Sequence, residues 1–294
     1  MTFNRNAKLD SGKVSKRGRN VAIGGGSALV VIGLIIVSQL VGVDLTGLAG
    51  GGGFGSSESQ SQPEQALDCQ TGEDANASTD CLMVGAATSL DAYWAGETAA
   101  EGVAYRSPAD FVLFEQSTST GCGQASSATG PFYCPGDETI YLDTAFFGEL
   151  RSRFGASGGS LSQLYVVAHE WGHHIQGLTG VLGSSSGGTG AESDSVRTEL
   201  QADCYAGAWV GAASTTVDEN GVTFLEPVTA TQVADALDAA SVIGDDRIQE
   251  QSSGRVDPES WTHGSSASRQ KWFSAGMDGG PAACDTFSID GSQL

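Results

Sequence analysis

Apolar residues fall along this chain in three patterns. Residues 21–43 carry no charge and centre on Ala28-Leu29-Val30-Val31-Ile32-Gly33-Leu34-Ile35-Ile36-Val37. That run matches the ~20 residues a helix needs to cross a bilayer, and Asp44 ends it. Residues 47–65 are mostly Gly, Ser and Gln, the composition of a flexible tether. Beyond Leu67 the pattern is that of a folded body. Leu82, Ala86, Leu90 and Trp94 predict a helix over 82–95. Residues 111–114 and 139–142 are apolar runs rich in aromatic and β-branched side chains and predict strands, with a turn-rich stretch over 117–136 between them. Asp143 or Thr144 can cap a short helix through Phe146, Phe147 and Leu150.

The later part reads as helical. Leu164, Ala168, Trp171, Ile175 and Leu178 form one buried stripe that opens on a Ser160-x-x-Gln163 capping box and stops at Gly177 or Gly180. A second helix, largely apolar through Leu200, Ala202, Cys204, Ala206, Ala208 and Trp209, can be capped by Ser193 or Ser195. Thr229-x-x-Gln232 opens a third, to about residue 243, and Gly264-Ser265-Ser266 starts a fourth that carries Arg269, Trp272 and Phe273. Strands early and helices late define an α+β class.

Charge adds a topology. The first twenty residues hold Arg5, Lys8, Lys13, Lys16, Arg17 and Arg19 against Asp10 alone, a tip of +5. The chain totals −21, so the remainder carries −26. A basic flank before an apolar run is retained in the cytoplasm, which directs the C-terminal body outside. The expected division is therefore a cytoplasmic tip (1–20), a transmembrane anchor (21–43), a linker (44–67) and a body (68–294). A cleaved signal peptide is the competing reading. The run is long for one, no A-x-A site follows, and Leu48-Ala49-Gly50-Gly51 lacks the cysteine of a lipoprotein box. The acidic body excludes nucleic acid as a partner, since phosphates would be repelled.

All six cysteines, Cys69, Cys81, Cys122, Cys134, Cys204 and Cys284, follow the anchor. An even number outside a membrane indicates disulfides. Fifteen pairings are open for six cysteines. Spacing favours Cys69 with Cys81 and Cys122 with Cys134, leaving Cys204 for Cys284. A thiolate metal site is disfavoured, because no C-x-x-C pair occurs.

The candidate chemistry lies on the two central helices. His169-Glu170-Trp171-Gly172-His173 puts two histidines four apart on one helical face, close enough to share a metal ion. Glu170 between them can act as base toward a metal-activated water. Two structural histidines would be the plainer explanation. Only four histidines occur in the chain, however, and His169, His173 and His174 share this helix. Catalytic zinc takes three protein ligands. Glu199 and Asp203, four apart on the next helix, offer one: Glu199 as ligand, Asp203 as acceptor for the far nitrogen of a ligand histidine. Carboxylates on so apolar a helix need partners, which argues against a merely solvated acidic face. His174 points away from the ligand pair and is read as structural or exposed. His263 either stabilises an oxyanion or pins a loop.

His169-Glu170-Trp171-Gly172-His173-His174-Ile175-Gln176, followed by Arg197-x-Glu199-Leu200-Gln201-Ala202-Asp203-Cys204-Tyr205-Ala206-Gly207, resembles the bacterial neutral zinc metallopeptidases. Gly121-Cys122-Gly123, Gly130-Pro131-Phe132-Tyr133-Cys134-Pro135 and Thr262-His263-Gly264-Ser265-Ser266 through Arg269, Trp272, Phe273 and Gly276 agree, so the resemblance covers about 68–290. It implies a zincin-like domain, with the active-site helix on a small sheet. It also implies one Zn²⁺ held by His169, His173 and Glu199, Glu170 as base, Asp203 orienting a histidine, and a peptide or protein substrate. The strand near 139–142 is then a candidate edge for pairing with substrate, or an ordinary core strand. The expected activity is that of a membrane-anchored, extracytoplasmic peptidase, an endopeptidase by preference. A zinc-stabilised envelope scaffold and a cell-wall peptide amidase are the alternatives.

Overall fold

The computed structural model describes residues 2–18, 64–100 and 102–294. The apolar run at 21–43 and most of the tether lie outside them. Among the described residues no helix is long and apolar enough to cross a membrane. In chain order the strands are β1 (Ser15–Arg17), β2 (Glu64–Gln65), β3 (Asp110–Phe114), β4 (Ser117–Thr120), β5 (Gly123–Ser126), β6 (Phe132–Cys134) and β7 (Thr139–Asp143). The helices are α1 (Gly72–Ala77), α2 (Thr79–Ala100), α3 (Phe146–Ser152), α4 (Ser160–Leu178), α5 (Val181–Ser184), α6 (Asp194–Ala212), α7 (Ala230–Val242), α8 (Asp245–Ser253) and α9 (Ser266–Gly279). This mixture fits the α+β, zincin-like class.

Five strands form one sheet in the order β2-β1-β3-β7-β6. The β1–β3 and β3–β7 pairs are parallel, and the two outer pairs are antiparallel. Strands β3 and β7 are buried along nearly their whole length, as central parallel strands are. Their side chains alternate between two apolar clusters. Phe111, Leu113, Ile140 and Leu142 face the main core with α2 and α4, while Val112, Phe114 and Tyr141 pack with Ala125 and Cys134 beneath the β4–β5 hairpin. This hairpin and β6 occupy the stretch expected to be only turns. Strand β7 lies between β3 and β6, so its backbone groups are already paired and it is no free edge. The edge beside the metal helix is β6.

The N-terminal tip is part of this body, which corrects the expected boundaries of 1–20 and 68–294. Phe3, Ala7, Leu9 and Val14 are buried in the main core, and β1 lies between β2 and β3. The end of the tether also belongs to the sheet, as β2. The tip's charges meet acids of the body: Lys13 pairs with Asp91 at 2.8 Å, Lys16 with Asp80 at 2.7 Å and Lys8 with Glu219 at 2.6 Å. Three of the six positive charges that resemble a topogenic flank are engaged in these contacts.

The helical part follows the apolar stripes closely. Thr229 caps α7 in a complete capping box, Ser193 caps α6 by accepting from the Val196 N–H, and Ser265 caps α9. Two caps differ from expectation. Gly159, not Ser160, precedes α4, and Ala145 precedes α3, with Asp143 accepting the Ala145 N–H from two residues back. Disulfides join Cys69 to Cys81, Cys122 to Cys134 and Cys204 to Cys284, the pairing that spacing favours.

Candidate metal centre and active site

Helix α4 presents its two histidines toward α6 because the helices approach closely. A Cβ on Gly172 would lie 3.1 Å from the backbone of Ala202, so the glycine inside the H-E-x-x-H run lets the helices pack at this distance. Ala202 is flanked by Glu199 and Asp203, and the contact carries both carboxylates to the histidines. One donor atom each from His169, His173 and Glu199 lies within 4.8 Å of the others. The His169 Nε2–Glu199 Oε2 distance is 3.0 Å and His173 Nε2–Glu199 Oε1 is 3.5 Å. Donors 2.0–2.1 Å from a tetrahedral ion stand about 3.3 Å apart, so the spacing fits zinc.

Each histidine is oriented from behind. His169 Nδ1 is 2.8 Å from Asp203 Oδ1, and His173 Nδ1 is 2.8 Å from Gln176 Oε1. With Nδ1–H donated backward, both Nε2 atoms face the shared point. Gln176 is itself held, donating to the Thr198 carbonyl at 2.7 Å and to Gln201 at 3.0 Å. Two nitrogens and a carboxylate oxygen form the donor set of a catalytic zinc site, with a position left for water. Glu170 is buried beside them, between the two ligand histidines in sequence.

Electrostatics tie these groups together. Burial pushes the His169 imidazole down, but Asp203 and then Glu199 outweigh it and raise it to about 10. Burial likewise lowers His173, and Glu199 overcomes it to leave a net rise. Glu199 is pushed up by burial and held well below the carboxylate range by His173, then His263 and His169. A proton-loaded His–His–carboxylate cluster is one whose protons a divalent cation displaces.

Asp203 is fully buried, and sequence reasoning did not find all its partners. Arg269 meets it with both arms of its guanidinium, Nε to Oδ2 at 2.8 Å and Nη2 to Oδ1 at 3.0 Å. The Tyr165 hydroxyl donates to Oδ1 as well. Burial raises the carboxyl, yet Arg269 and then His169 bring it to about 2, so it is an anion at every working pH. The one signal was Arg269 itself, three residues before Trp272 in a helix that also buries Phe273. Gln176, three residues after His173, was legible as an i,i+3 neighbour but carried no assigned role.

His263 lies in the loop before α9. The backbone N–H groups of Thr262, His263 and Gly264 all donate to Asp245 Oδ2, at 2.8, 2.7 and 3.0 Å. The ring Nδ1 is 3.5 Å from Asp245 Oδ1. Burial lowers this imidazole, but Glu199 and then Asp245 outweigh it and raise it, so His263 bears on the metal centre through charge. Asp245, eighteen residues upstream, gave no sign of this role in the sequence. His174 is fully buried and structural: its Nε2 meets the Arg106 carbonyl at 2.8 Å and its Nδ1 the Tyr133 hydroxyl at 3.2 Å, fastening α4 to the edge strand β6.

An H-E-x-x-H helix facing a Glu-x-x-x-Asp helix beside a five-stranded sheet fits a zincin-like domain, with a His–His–Glu group suited to a metal ion. The family model described as Putative neutral zinc metallopeptidase matches residues 4–287, and the chain belongs to that family. Similar curated proteins include Uncharacterized protein Rv2575 of Mycobacterium tuberculosis, 53% identical over 75% of this chain and 74% of that protein. Uncharacterized protein YpfJ of Escherichia coli is 39% identical over 90% of this chain and 87% of its own length. No solved structure matches.

Proposed function

We propose that this protein is a zinc-dependent peptidase acting outside the cytoplasmic membrane. The observation that carries the reading is the convergence of His169, His173 and Glu199, both Nδ1 atoms fixed from behind, with Glu170 on the same helix face. A structural site has no use for such a base. Zinc bound there would supply Lewis acidity, polarising the scissile carbonyl and acidifying water. Glu170 takes the proton of the attacking water and returns it to the leaving amine. Asp203 and Gln176 keep the ligand rings oriented. His263, whose loop is held by Asp245 and whose imidazole Glu199 and Asp245 raise, would donate to the oxyanion. Peptide aligns along the edge strand β6, whose outer backbone groups can pair with an extended chain.

Three disulfides and no free cysteine support an oxidising compartment, and residues 21–43 supply the membrane attachment. Substrate would be peptide or protein, cleaved internally. The test is cleavage of an unbiased peptide library by the purified full chain, with and without chelator, beside Glu170→Gln. Chelator-sensitive cutting should fall about 10²–10⁴-fold in the variant. A folded, zinc-loaded protein that cuts nothing would leave the scaffold reading in its place.

A further inference from the structure

Arg17 and Glu64 are Cα partners in the β1–β2 ladder, and Lys16 pairs with Gln65 next to them. The chain therefore leaves the body after β1 and re-enters it at β2 through a single point, adjacent strands being about 4.8 Å apart. A single crossing of the bilayer between these residues would separate them by about 30 Å of hydrocarbon. It would also remove β1 from β3, with which it forms a parallel ladder at Ser15↔Val112 and Lys16↔Leu113.

We infer that residues 2–17 and the catalytic body occupy one compartment, the tip being an integral layer of the peptidase domain and not its counterpart across the membrane. Four independent features agree. Phe3 is wholly buried, and the Asn76 side chain brackets it, accepting from the Phe3 N–H at 2.9 Å and donating to the Phe3 carbonyl at 2.8 Å. The start of α1 is shaped around the tip: a Cβ on Gly72 would lie 1.9 Å from the Asn4 carbonyl oxygen, and the Gly72 N–H donates to the Ala7 carbonyl at 2.9 Å. Lys13 reaches Asp91, which burial pushes up and which Lys13, Ser107 and Tyr105 hold below the usual range. The family match begins at residue 4, ahead of the apolar run, so the tip is shared with the catalytic sequence.

The positive-inside rule reads lysines and arginines beside an apolar run as free to face the cytoplasm. Here Lys8, Lys13 and Lys16 have acidic partners within the body, and Arg17 donates to Thr118 and lies over the Tyr141 ring. Four of the six cations in the first twenty residues are thus engaged by folding, without a membrane potential or a cytoplasmic face.

The test uses the full chain in bacterial spheroplasts. Asn6→Cys and Ser292→Cys, both at exposed positions, are labelled separately with a membrane-impermeant maleimide before and after permeabilisation. Equal labelling of the two before permeabilisation is the expected result. Equal protection of both would still place tip and body together, while overturning the extracytoplasmic reading of the peptidase. Labelling of Ser292→Cys with protection of Asn6→Cys overturns the inference. Independently, Phe3→Asp should abolish the protease-resistant body in the full chain, and an unaffected body would overturn it equally.

Discussion

The metal centre and the N-terminal tip are both assembled from distant segments through ion pairs, but the pairs differ in kind. Arg269 and Asp203 are essentially without solvent, with side-chain exposures of 3% and 0%. Lys8 and Glu219 are open, at 61% and 67%. A charge of the first kind is costly once its partner is gone, so the pair fixes geometry. One of the second kind is screened and adds little. The tip is accordingly held by Phe3, Leu9, Val14 and the β1–β3 ladder, with the half-buried Lys13–Asp91 and Lys16–Asp80 pairs between the two extremes. The comparison separates charges that position a ligand from charges that label a docking strand.

Removing Arg269 should have the largest effect. Arg269→Met leaves the buried Asp203 carboxylate without its guanidinium and with only His169 and the Tyr165 hydroxyl as partners, at a cost of about 3–5 kcal/mol in urea unfolding of the full chain. Were the loss no larger than for an exposed pair, the contrast would collapse. Next in size is Leu9→Ala. Leu9 is 6% exposed at the rim of the core, so the loss should be about 2–3 kcal/mol, toward the low end for leucine truncation. The full chain should show it as a lower midpoint, since apolar anchors and not lysines hold the tip.

Zinc affinity should change with pH in a direction the ligands dictate. Metal-free His169 is raised to about 10. The charged His169–Asp203 pair therefore stabilises the metal-free protein fully below about pH 6.5, the unfolded histidine value, and loses this as pH rises through about 10. Zinc needs the neutral ring, so affinity climbs across the same interval and binding at pH 7 releases protons. Calorimetry in buffers of different ionisation enthalpy reads that release, and its absence would mean these histidines are not the ligands. The smallest change belongs to Lys8→Gln, where thermal unfolding should be indistinguishable from the parent.

The same contrast governs what could be read from sequence. The helical half was legible because its signals are local. Leu164 through Leu178 repeat at helical steps, Thr229 sits three before Gln232, and His169 precedes His173 by one turn. Spacing also pointed to the three disulfides. The tip was not legible. Phe3, Ala7, Leu9 and Val14 follow neither a helical nor a strand period, and β1 is Ser-Lys-Arg, strand only because β3 lies beside it. Its lysines suggested a topogenic flank because their acidic partners, Asp80, Asp91 and Glu219, lie far along the chain. Of the two readings of the strand near 139–142, the structure selects the core strand: the apolarity of Thr139 to Asp143 reflects burial between β3 and β6. Asp245 and Arg269 were hidden by distance, since Asp245 acts on the loop before α9 and Arg269 on a residue of α6.

One bond bears on timing. Cys204 is joined to Cys284, eighty residues later and ten from the last residue. The helix bearing Glu199 is therefore fastened only after Cys284 has been made. At the other end, β1 waits for β3 while residues 18 to 109 are synthesised, about 5–18 s at ordinary ribosomal speed. On the peptidase reading proposed above, a chain whose candidate ligand helix is tied down late would be inactive while it is still being made.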